Sequence, residues 1–173
     1  MISNKKAMAI GQVFIFMVAA ITFALILIFG TKAILEFMDK GERVEFTRFK
    51  TNLETNVKKI YTEYGSVRIK SFNLPSKYNQ ICFIDLSKKP PQNCLTKIGV
   101  IACDAWKTAA EQGGGWSKAD RNVFLQPASE IPIKVYEISM DNNYLCLPIK
   151  QGRFQLRLEG KGDRTDLSLV EVS

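Results

Sequence analysis

At 173 residues the chain has the length of one ordinary domain plus an appendage, and 24 basic against 17 acidic side chains give a net charge of +7. That excess is spread as +2 over Lys5 and Lys6, +1 over residues 31–64 and +4 over residues 65–173, too dilute for the basic stripe of a nucleic-acid binder. The chain contains no histidine, so Ser–His–Asp and Cys–His catalysis are impossible within it, and zinc would be left with thiolates and carboxylates.

Apolar residues crowd the N-terminus. Between Lys6 and Lys32 there is no charge, and the run Ile10–Phe29 is interrupted only at Gln12 and Thr22. About twenty such residues at 1.5 Å rise match a hydrocarbon core of roughly 30 Å. Backbone groups in that layer must pair internally, which requires a helix. The run is too long for a cleaved secretory signal, and no Ala-x-Ala-like site follows it. The expected divisions are a basic leader over 1–9, a transmembrane helix over 10–31, an amphipathic stalk helix over 32–64 and a β-rich domain over 65–173. The bilayer is the first partner.

Beyond the anchor the pattern becomes one-sided. Phe46, Phe49, Leu53, Val57, Ile60 and Tyr64 recur at helical steps, and Glu36–Lys40, Asp39–Arg43 and Glu54–Lys58 place opposite charges four apart. Gly41 is the weak point of this helix, and Gly65 stands where a C-terminal cap belongs. The stripe suits packing on the chain's own sheet, with a self-assembly seam between copies or packing on the membrane surface as the other uses for it.

From Ser66 the period is mostly two. Val67 and Ile69 alternate with Arg68 and Lys70, Gln80–Leu86 reads as a buried strand, and Lys88–Asn93 with its paired prolines is a loop. Leu95, Ile98, Ala102, Ala105, Trp106 and Ala109 follow helical spacing up to Gly113-Gly-Gly115. Ser117 with Asp120 has the form of a capping box, before a short strand over Asn122–Leu125. Further strands are expected over Ile131–Met140, Tyr144–Ile149, Phe154–Glu159 and Thr165–Val172. The expected fold is α+β, an antiparallel sheet packed against the stalk helix and the helix near Trp106.

Four cysteines, Cys82, Cys94, Cys103 and Cys146, form no Cys-x-x-Cys pair, which argues against a metal or cluster site. An even count in an exported domain favours disulfides, and of three connectivities Cys82–Cys146 would join two strands while Cys94–Cys103 would tie the proline loop to the helix. Four buried free thiols in a cytosolic domain are the alternative. Gly160-Lys-Gly-Asp163 lacks the spaced glycines of a phosphate loop and reads as a hairpin turn. Trp116, after three glycines, is either an aromatic presented to a partner or a packed side chain beside a connector. Asp85, Asp104 and Asp141 stand at element ends, where turns explain them. No residue qualifies as catalytic, cofactor-binding or metal-binding.

The short basic leader, Gly11-Gln-Val-Phe14, the apolar helix, its amphipathic extension and a β-rich head resemble archaeal type IV pilin-like proteins. The chain is similar, too, to a group of uncharacterised archaeal single-pass membrane-anchored proteins, through Cys82-Phe-Ile-Asp85, Asn122-Val-Phe-Leu125 and Leu158-Glu-Gly-Lys-Gly-Asp163. The resemblance implies peptidase cleavage between Gly11 and Gln12 and a helix used for filament assembly. Ile10 stands where pilins usually carry a basic residue, and Phe16 where bacterial-type pilins carry glutamate. Counting Lys and Arg alone, Lys32, Lys40, Arg43, Arg48 and Lys50 outweigh the leader and would place the N-terminus outside. The cysteines and the resemblance set the opposite topology, with the C-terminal domain extracytoplasmic. The expected function is a non-enzymatic pilin-like surface protein, an assembly or structural subunit. A membrane-tethered binding module or accessory subunit is the alternative.

Overall fold

The structure is a computed structural model. It describes residues 5–113 and 115–170, with side chains from Gln12 onward save that of Asp39. Of the leader, residues 1–4 lie outside the described residues. The chain falls into two units, Met1–Val44 and Glu45–Ser173, and the division lies within helix α1 (Lys5–Tyr61).

In the first unit the run of α1 from Gln12 to Phe29 is apolar on every side: Phe14, Ile21, Phe23, Ile26 and Phe29 are each at least 60% exposed. The two threonines of this unit are satisfied locally. Thr22 Oγ1 donates to the Val18 carbonyl (3.0 Å) and Thr31 Oγ1 to that of Leu27 (2.8 Å), the back-bonding that hydroxyls use where water is missing. Glu36 and Lys40 pair at 2.7 Å. The helix runs through Gly41 without a break.

In the second unit the end of α1 supplies the stripe Phe46, Phe49, Leu53, Val57 and Ile60, all buried. Two sheets join it. One has the order β1 (Val67–Asn73), β6 (Arg153–Gly160), β7 (Thr165–Ser168), β4 (Ile138–Ser139); the other has β3 (Val123–Gln126), β2 (Gln80–Ile84), β5 (Tyr144–Pro148). The helical stripe, Phe72, Phe154, Leu156 and Leu158 of the first sheet, and Ile81 and Phe83 of the second form one core. Phe72 stacks on Phe154 at 5.3 Å, and Phe49 meets both edge-on. β2 is buried on both faces, because Cys82 and Ile84 point the other way, toward Trp106 and Ala102 of α3 (Val100–Glu111). That double burial explains its continuous apolar run.

Several expectations are corrected. The single antiparallel sheet is two sheets, and β4 pairs with β7 in parallel. α1 ends at Tyr61, so Tyr64 is 83% exposed and Gly65 (φ +74°) serves the turn into β1 instead of a helix cap. The helix expected near Trp106 is two, α2 (Cys94–Ile98) and α3, because Gly99 takes φ +87°, ψ 165°, far from helical values. Ser117 lies inside the one-turn α4 (Gly115–Lys118) and not ahead of a helix. Glu54 approaches Lys50 (3.9 Å), not Lys58.

The largest departure is Ile131–Met140, of which only Ile138–Ser139 is strand. Pro132 has no N–H to give a ladder, and the buried Asn122 takes the place of a strand partner. Its side-chain amide donates to the Val135 carbonyl (3.1 Å), and its Oδ1 accepts from Val135 N–H (2.8 Å). The last strand stops at Ser168, and residues 171 and 172 of its expected span lie outside the described residues.

Candidate functional site

Two features dominate the surfaces available for function: the bare apolar helix of the first unit and the bridged head of the second. Cys82 and Cys146 face each other in register across β2 and β5, with Cα atoms 4.0 Å apart, and form a disulfide. Cys94 and Cys103 form the other, linking the start of α2 to α3 with Cα atoms 5.4 Å apart. No described cysteine is free. The Gly11–Gln12 bond falls within α1, and Gln12 is exposed.

Trp116 is half-buried. Its indole N–H donates to the Val135 carbonyl (2.7 Å), its ring packs on Tyr136 at 5.1 Å, and the Lys134 ammonium sits 4.2 Å above it. Those contacts tie the glycine-rich connector down to the irregular segment 131–137. Together they form one wall of a cleft of about 390 Å³ that also takes in Asp85, Ser87, Glu137 and Arg164.

Asp85, 3% exposed, accepts from Ser87 N–H (2.9 Å) and Ser87 Oγ (2.5 Å), the bonds of a turn closed by an aspartate. Arg164 is engaged by Asp163 through two hydrogen bonds of 3.0 and 2.5 Å. Of the groups in the cleft, Asp85 is therefore committed to a turn and Arg164 to its neighbour Asp163, with Glu137 beside them. Asp104 and Asp141 lie exposed elsewhere, on α3 and in the turn before β5. Among the described residues no three His, Cys, Asp or Glu side chains are placed to hold a metal.

Gly160–Asp163 is the turn from β6 to β7, where Lys161 N–H donates to the Arg164 carbonyl (2.9 Å). Surface pairs set its electrostatics. The Lys161 ammonium, with Arg157 behind it at 3.0 Å, holds the Glu159 carboxyl below its ordinary value. The bond from Arg164 does the same for Asp163, and that from Arg121 for Asp120.

Each of these folded-state values is depressed. The stabilisation is therefore present above the ordinary carboxylate range and lost as pH falls through the depressed values. The thermal midpoint of the head is expected to be level above about pH 5 and to fall modestly toward pH 3, by less in high salt because the pairs are exposed. Thermal melts from pH 7 to pH 3 at two ionic strengths check this.

The chain matches no protein-family profile, no curated protein and no solved structure.

Proposed function

We propose that this is a membrane-anchored, non-enzymatic surface protein of pilin-like design, held by the N-terminal half of α1, with its β-rich head on the extracytoplasmic side. The observation that carries the reading is the pairing of a bare apolar helix with a twice-bridged head. A helix that is hydrophobic all round needs an apolar surrounding, either a bilayer or copies of itself, and from Gln12 onward no part of its most apolar stretch is buried by the chain. Disulfides persist in oxidising compartments and are rare in the cytosol of mesophiles, which supports an outside position for the head. The helix then serves anchoring or assembly, and the head is what the cell surface displays.

A membrane-impermeant amine reagent applied to intact cells tests the topology, since Lys77, Lys89, Lys97 and Lys107 are exposed on the head. The expected result is labelling of these lysines before lysis. Labelling only after lysis would place the head in the cytoplasm. Crosslinking in membranes separates the roles: a ladder of self-adducts belongs to an assembly subunit, and a monomer band alone removes assembly. A membrane-tethered binding module, the second reading, draws its support from the unpaired outer edge of β1.

A further inference from the structure

β1 is the edge of the four-stranded sheet and has one neighbour, β6. The Ser66 carbonyl accepts from Gly160 N–H (2.9 Å) and Leu74 N–H donates to the Gly152 carbonyl (2.7 Å). These bonds fix the parity of the ladder. Even-numbered residues face β6, and the backbone groups of Val67, Ile69, Ser71 and Asn73 face outward. Among the described residues nothing is hydrogen-bonded to those outward groups.

The side chains flanking this edge differ in character. Val67 and Ile69 are 48% and 58% exposed on the outer face. There Ile69 adjoins a groove of about 700 Å³ walled by Met140, Tyr144, Leu145 and Leu169. The opposite face carries Arg68, engaged by Glu63 at 2.5 Å, and Lys70, which has no carboxylate partner among the described residues.

We infer that the β1 edge is a strand-addition site for an extended segment of another protein that alternates apolar and acidic residues. Main-chain bonds to the four outward residues would supply affinity, and alternate side chains would supply selectivity. Apolar residues would lie on the Ile69 face and a carboxylate beside Lys70. A second copy of β1 is the wrong occupant. Of the antiparallel registers that mate outward residues, the one centred on Lys70 brings it beside Lys70 of the other chain and the next brings it beside Arg68, and these like-charge pairs disfavour it. The inference concerns the head alone and does not rest on which side of the membrane it occupies.

The test uses the full chain in detergent and two capped peptides, one alternating valine with glutamate and one alternating valine with lysine. Binding of the glutamate peptide is expected, with slowed amide exchange at Val67, Ile69, Ser71 and Asn73. Ile69→Pro removes one outward donor without touching the β6 ladder and should weaken binding by about tenfold, one hydrogen bond's worth. Lys70→Glu preserves every backbone group and should reverse the preference between the peptides. Absence of binding, equal affinity for both peptides, an unaltered preference in Lys70→Glu, or protection of the edge through dimerisation of the chain would each overturn the inference.

Discussion

Gly160→Ala is expected to destabilise the head by about 3 kcal/mol, at the upper end of what overpacking usually costs. A Cβ at Gly160 would lie 2.2 Å from the Glu63 carbonyl oxygen and 2.3 Å from that of Ile60. Both are backbone atoms at the end of α1 and the turn after it, so neither can rotate away. The strand cannot yield either, because Gly160 accepts from Gly65 N–H (2.8 Å) and donates to Ser66 O (2.9 Å). Gly41 is the contrast: a Cβ there meets nothing within 4 Å, and alanine in that helix should stabilise it by up to about 1 kcal/mol. Denaturant titration of the two variants measures both. A Gly160→Ala midpoint equal to that of the parent would mean that α1 and β6 do not approach as described.

Removing the Cys82–Cys146 bridge with paired alanines should cost about 4 kcal/mol, and removing Cys94–Cys103 about 3 kcal/mol, if the chain-entropy account holds. The order follows from loop length: the partners are 64 residues apart in the first bridge and 9 in the second. Alanines at positions 82 and 146 would still face each other across β2 and β5, flanked by Ile84 and Phe124, so the native sheet pairing should survive. Equilibrium unfolding of each paired variant, in the same detergent as the parent, reads the two costs. A larger loss from the short-loop pair would show that native contacts around α2 and α3 matter more than denatured-state entropy.

What could be read from the residues follows from how local the signal is. The anchor is legible because composition alone fixes it. The stripe Phe46–Ile60 and the alternation in β6 are legible because each element meets the core with one face. The hidden parts depend on distant partners. Nothing near Ile131–Met140 reveals that Asn122 will pair with Val135, although Pro132 was a local sign against a ladder. Tyr64 keeps the helical spacing, yet the chain has already turned at Glu63–Gly65, where Ser66 N–H donates to the Glu63 carbonyl (3.1 Å).

The surfaces were less legible than the core. The alternation of Val67 and Ile69 with Arg68 and Lys70 marks a strand, but an edge is a property of sheet order, and β1 reaches its partner β6 across some eighty residues of chain. Trp116 was visible as an aromatic after glycines. Its anchoring to Val135 was not, because the acceptor belongs to a segment whose conformation is set by Asn122. The cleft around Asp85 likewise joins residues from the turn after β2, α4, β4 and the β6–β7 turn that share no local motif.

The central claim, an exported and bridged head on a membrane helix, is tested most directly by the intact mass of the protein extracted from native membranes, alkylated with and without prior reduction. The account predicts no adducts before reduction and four after it, in a protein recovered with the membrane fraction. Four adducts without reduction would contradict it, leaving free thiols on the cytoplasmic side and a tethered cytoplasmic module in place of a displayed head.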